Sequence, residues 1–306
     1  MKVSIVTEGT YPYVVGGVSS WCHDLVSGLP EVEWHLVPIT AGGLRRTPLF
    51  DLPDNVALEP GIELWSRPIK RRRRRRKAPS AAEQDLLAAD MARLLLGAES
   101  DSDELIELFG TCRRAPRWAR EAFRSTEGWD FFLEELTRVS QAERTDLFVD
   151  VEYSVLEATE LWQTLYWLAM TAATPLPDCD VVLLTAAGWG SALAAATRSH
   201  DDTPIMLSEH GIYVREAYLE AARTGPPPGR QFTSTRLARG LSRLSYALAD
   251  RISPVCDSHH TWERALGASD QQLHTIVNGV ARPPLPSVRS DQPTGPIITS
   301  VGRVDP

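Results

Sequence analysis

Three short stretches of this sequence set glycine or an ionisable side chain just beyond a strand-like run. The first, Glu8 to Gly17, ends in Gly16-Gly17 where a helical pattern begins. Glycines there let a phosphate approach the backbone, and the free amides and dipole of a helix N-terminus favour an anion. A tight turn at positive φ with nothing bound explains the same pair. The second, Glu209-His210-Gly211, follows the apolar run Pro204 to Ser208. A Glu-His pair with an adjacent Gly suits contact with hydroxyls or a reacting group, while His210 as a cap of the next helix fits the same residues. The third, Gly302-Arg303, follows Ile297 to Val301. The arginine fork there matches a diphosphate; a plain surface arginine is the alternative. No G-x-G-x-x-G occurs, which disfavours a dinucleotide cofactor.

Other candidates read more plainly. Asp101-Ser102-Asp103 has the look of a metal-binding D-x-D, but Asp and Ser are common helix caps in such an acidic, Ser-containing stretch. His259-His260 has only Asp257 and Glu263 nearby at metal spacing and reads as a solvated helix face. Cys22, Cys112, Cys179 and Cys256 form no C-x-x-C pair and read as reduced thiols. Several tryptophans, including Trp118, Trp162 and Trp167, fall at helical core spacing.

The elements that must position these residues alternate. Lys2 to Thr7 reads as a strand, Val18 to Leu29 as an amphipathic helix, and Glu33 to Ile39 and Val56 to Glu59 as further strands. A β-α-β opening of this kind predicts a Rossmann-like, doubly wound parallel sheet of the α/β class. Residues 66–170 break the rhythm and read as a helical insertion: Ala81 to Leu96, Asp103 to Phe109, Pro116 to Phe123, Trp129 to Gln141 and Tyr153 to Met170. Alternation resumes with strands at Asp180 to Leu184, Pro204 to Ser208, Arg251 to Pro254 and Leu273 to Val277. The helices between them are Gly190 to Arg198, Tyr213 to Ala222, Phe232 to Ala249 and Ser258 to Leu266. Gly225 to Gly229 reads as a mobile surface loop. One domain therefore spans 1–280, a proline-rich linker 281–296, and residues 297–306 open a second domain. A strand there with nothing after it to cover it reads as a fragment boundary.

The chain has 306 residues, 43% apolar and 24% charged, ordinary for a globular protein. Its net charge of −8 is uneven: nine of the 32 Lys/Arg lie between Arg67 and Lys77, leaving 23 against 40 acidic side chains elsewhere. A broad basic face for nucleic acid is absent. The basic loop 67–77 reads as a solvated segment, with anionic headgroups or an acidic membrane partner as the second reading. No uninterrupted apolar run is long enough to span a membrane, and the N-terminus lacks a secretory layout.

In order along the chain, MKVSIVTEGTYPYVVGGVSSWCHDLVSGLP, LSEHGIYVREAYLE, IVNGV and SVGRVDP resemble the PelF-type glycosyltransferases of family GT4, whose N-terminal region is known as DUF3492. The likeness runs from Met1 to Pro306 and is loosest over the basic run and inserted helices. The resemblance implies the N-terminal half of a GT-B enzyme. It would be a retaining transferase that uses a UDP-sugar, UDP-glucose or a related hexose, to extend a glycan acceptor in Pel-type exopolysaccharide and biofilm synthesis. It implies no cofactor and no metal. The protein would lie in the cytoplasm, extending to peripheral contact with a polysaccharide-synthesis complex at the inner membrane. By position, Gly16, Gly17 and Arg303 would face the donor phosphates and sugar, and His210 would be the catalytic contact near the reacting centre. Glu8, Tyr11, Glu209, Tyr213 and Asn278 are candidates for the acceptor side of the cleft. The Lys and paired glutamates of the family's donor-binding half are missing from this sequence, so the chain alone is expected to be inactive. Two other readings remain open: a non-catalytic scaffolding module docking on a membrane complex, and a different GT-B transferase.

Overall fold

The computed structural model describes residues 1–42, 47–66, 80–98, 101–142 and 151–279. The basic loop, the linker, the terminal strand and Arg303 lie outside these residues.

Among the described residues, seven strands form one sheet: β1 (Lys2–Glu8), β2 (Glu33–Ala41), β3 (Val56–Leu58), β4 (Ile62–Leu64), β5 (Val181–Leu184), β6 (Ile205–Glu209) and β7 (Arg251–Pro254). Their order is β3-β2-β1-β5-β6-β7, with β4 also beside β2, and every pairing is parallel. This is the Rossmann-like arrangement the sequence predicts. The chain builds outward from β1 to β2 and β3, then returns to the other side of β1 with β5. The strand order therefore reverses between β1 and β5, and the crevice beyond their carboxyl ends is where open sheets of this kind take ligands.

β4 is absent from the sequence reading. It pairs with Ile39–Ala41 of β2, whereas β3 pairs with Trp34–Leu36, so the two continue one broken edge strand. Gly61 makes the break with φ of 66°, and a Cβ there would sit 2.5 Å from the Pro38 carbonyl oxygen. A three-residue strand after a turn carries too little periodicity to be recognised.

The strands alternate as a sheet covered on both faces requires. Val3 and Ile5 of β1, Trp34 and Leu36 of β2 and Leu183 of β5 pack in one cluster with Cys22 and Val26 of α1 (Gly17–Gly28). Val6, Val37, Ile39, Val182 and Leu184 face the opposite way into a larger core. That core is roofed by α2 (Ala81–Leu96), α3 (Ser102–Arg114), α4 (Pro116–Ala122), α5 (Thr126–Ala142), α6 (Val155–Ala172) and α7 (Gly190–Arg198). The long helix α9 (Pro228–Leu248) joins the same layer, with Phe232, Leu241, Leu244, Tyr246 and Leu248 in the core. The expected helical insertion is thus no appended lobe: Phe109, Phe132 and Leu168 share one core with the sheet. Trp118 is buried in it, and Trp162 and Trp167 pack against it. Asp101 caps α3 by accepting from the Asp103 and Glu104 amides at 2.9 and 3.0 Å, the role its sequence suggested.

Two boundaries shift. The loop expected at Gly225 to Gly229 is shorter, because α8 (Tyr213–Thr224) stops at left-handed Gly225 and α9 starts at Pro228. Proline suits the first helical turn, where its missing N–H costs nothing. The strand expected at Leu273 to Val277 is reduced to a single bridge between Leu273 and Ile252. The segment still runs beside β7, with the His274 amide donating to the Ile252 carbonyl (2.9 Å) and Ile276 to Pro254 (3.0 Å). No helix among the described residues is long and apolar enough to cross a membrane. All four cysteines are free, and burial pushes the Cys22 and Cys112 thiols up to about 12, so both are inert.

Candidate functional site

At the carboxyl end of β1, Gly9 has φ of 65° and turns the chain out of the sheet into the loop that ends at Gly16. Gly16 is the N-cap residue of α1, and Gly17 is its first residue. The cap position supplies no accepting side chain, and no acidic residue lies in the first turn. A Cβ at either glycine would meet nothing within 4 Å. The space beside both glycines is therefore open, and the first-turn amides of α1 carry the partial positive charge of the helix. In the same loop and turn, the Thr10 and Ser19 hydroxyls are buried and meet no partner.

Two other helices lacking a cap of their own are completed from elsewhere in the chain. Glu157 of α6 accepts from the Arg230 amide in the first turn of α9 (3.0 Å). Glu8 does the same for α7, its Oε1 accepting from the Gly190 amide at 2.8 Å. Gly188 and Gly190 make room for that carboxyl: a Cβ on Gly188 would lie 2.5 Å from Glu8 Oε2, and one on Gly190 3.3 Å from Oε1. Burial pushes Glu8 up from 4.5 to about 7, although the Gly190 and Trp189 amides pull the other way. Burial and the neighbouring Glu8 also raise the Tyr213 phenol, which stays neutral. Among the described residues, no side chain caps α1 in this manner.

His210 follows β6 directly. Its ring stands edge-on to Trp21 of α1, with centroids 4.4 Å apart, and its Nε2 lies 3.4 Å from Ser208 Oγ. Burial, and then the charge of His259, bring its pKa down to about 4, so at neutral pH the imidazole carries one donor and one acceptor nitrogen. The Trp21 contact is what unites the first and second sequence candidates: the helix opened by Gly16-Gly17 is also the helix that holds His210.

The remaining candidates divide. Glu8 and Tyr213 are half-buried at the switch point. Tyr11 and Glu209, read as acceptor-side candidates, are fully buried. Tyr11 anchors the loop from beneath. Its carbonyl accepts from Thr7 Oγ1 (2.7 Å), its hydroxyl meets His23 Nδ1 (3.2 Å), and its ring meets Phe50 edge-on. Glu209 accepts the Tyr246 hydroxyl at 2.8 and 3.0 Å, and its carboxyl is pushed up to about 9, by burial first and the nearby Glu263 second. Asn278 is exposed at the edge of the described chain. The sequence reading missed Gly188 and Gly190, which hold no motif spacing, and Trp21, which lies within the helix expected at Val18 to Leu29.

Residues 1–271 match the family described as a domain of unknown function, DUF3492. The chain belongs to the DUF3492 family. In this DUF3492 domain the matched residues include the α1 N-terminus, the His210 loop and the whole sheet. No curated protein matches the chain.

Proposed function

We propose that this DUF3492 chain is the acceptor-side, N-terminal domain of a PelF-like retaining glycosyltransferase of GT-B fold in family GT4. The transferase would move hexosyl units from a UDP-sugar to a growing exopolysaccharide. One observation carries the reading: an uncapped, unobstructed helix N-terminus opened by Gly16-Gly17 and joined through Trp21 to a neutral imidazole. A nucleotide-sugar needs that combination, with amides and a dipole for the diphosphate and a neutral hydrogen-bonding group for the sugar hydroxyls.

The chemistry assigned here is front-face retention. The bond between the anomeric carbon and the diphosphate oxygen breaks, and the acceptor hydroxyl attacks from the same face. Its proton passes to the departing diphosphate, so no carboxylate nucleophile is required. The α1 amides stabilise charge gathering on the leaving group, and His210 orients the sugar. Arg303 would approach the diphosphate from the second domain. In the full-length gene product, His210→Ala should lower turnover of the UDP-sugar roughly 10²-fold, as loss of one well-placed donor does elsewhere, with the melting temperature little changed. Turnover equal to the wild type would remove His210 from the reaction.

A further inference from the structure

A second group of ionisable side chains converges beneath the His210 loop. Glu209 at the end of β6, His259 in the 3-10 turn Asp257–His259, and Glu263 in α10 (His260–Ala265) each offer a ligand atom, and these atoms all lie within 4.8 Å of one another. Glu263 is 0% exposed, and among the described residues its carboxyl oxygens meet no donor other than the facing Glu209 carboxyl, with which they share a hydrogen bond; His259 Nδ1 has no partner. Neighbouring polar groups are already engaged. Thr275 Oγ1 donates to Asp257 and meets His260 Nε2 at 3.0 Å, and Arg264 pairs with Asp270 at 2.6 Å. Two facing carboxyls, fully buried and without a Lys or Arg between them, are held together either by a shared proton or by a cation brought in from outside.

Two carboxylates and one imidazole form a hard-to-borderline donor set of the kind that takes zinc or a similar divalent transition metal. Around a tetrahedral ion with ligands at about 2.0–2.1 Å, donor atoms stand roughly 3.4 Å apart. We propose that Glu209, His259 and Glu263 bind one divalent transition-metal ion, with zinc as the representative, in a structural site pinning the end of β6 to α10. The Tyr246 hydroxyl, already on Glu209, would orient that ligand from outside. The proposal departs from the expectation of no metal that the family resemblance implies. It stands independently of the transferase reading, because it supplies no reacting group.

The test uses the purified chain, stripped with chelator, incubated with Zn²⁺ and desalted at pH 7.5. Metal content by mass spectrometry should reach one zinc per chain, and excess Zn²⁺ should raise the melting temperature by roughly 5 °C. Co²⁺ in its place should give the strong visible absorption of a four-coordinate site. Both signals should vanish in Glu263→Gln and in His259→Ala, with circular dichroism reporting that each variant folds. Wild-type protein retaining no zinc and giving no such cobalt spectrum would overturn the proposal and leave the carboxyl pair sharing a proton. Undiminished zinc binding in either folded variant would overturn it equally.

Discussion

Glu8 illustrates how a single residue changes meaning once its surroundings are known. As a strand-end carboxylate it reads as a ligand contact; in the fold it caps α7 and presses against two glycines. Its pKa of about 7 against an ordinary 4.5 has a definite sign. A folded-state value above the unfolded one means that folding takes up a proton between those values. Its contribution to stability is full below pH 4.5 and is lost as pH rises to about 7. The groups facing it are the Tyr213 phenol, which stays neutral, and the Trp189 and Gly190 amides. Glu8→Gln should therefore remove that loss. In denaturant titrations, the stability of the variant relative to wild type should climb between pH 4.5 and 7 and level off above. A flat difference across that window would mean that Glu8 ionises normally.

At the scale of elements, what the sequence made legible and what it hid follow one rule. Strands and helices with full periodicity, such as β1, α1, α2 and α6, fall where the pattern places them, because each buries one complete face. Contacts between elements distant in sequence leave no period behind. The α2–α9 crossing is one. Gly240 lies so close to α2 that a Cβ would fall 2.1 Å from the Leu95 carbonyl oxygen, and nothing around Gly240 in the sequence announces it. Gly240→Ala should force the two helices apart and cost about 3 kcal/mol, at the upper end for overpacking, although alanine is the better helix former. Urea unfolding measures it, and a neutral or stabilising result would mean that α9 does not pack there. The candidate site divides the same way. Gly16-Gly17 and His210 stand out by residue type and strand-end position, whereas their union through Trp21 and the Glu209, His259 and Glu263 cluster required the fold.

For the molecule as a whole, the described helices of 66–170 share one core with the sheet, and the candidate site lies at the β1/β5 reversal of that sheet. The central claim is that the crevice serves a nucleotide-sugar diphosphate at the α1 N-terminus. Gly16→Asp tests it because the two consequences have opposite signs. An aspartate at that extended N-cap position should stabilise α1 by a few tenths of a kcal/mol, since glycine is already a tolerable cap. Its carboxylate would also occupy the place assigned to the diphosphate and repel it. The decisive measurement is UDP release from UDP-glucose and related UDP-hexoses by the full-length gene product, wild type beside Gly16→Asp. The account predicts turnover by the wild type and loss of most of it in a variant at least as stable. A wild type that cleaves no UDP-hexose, or a variant that turns over undiminished, would contradict it.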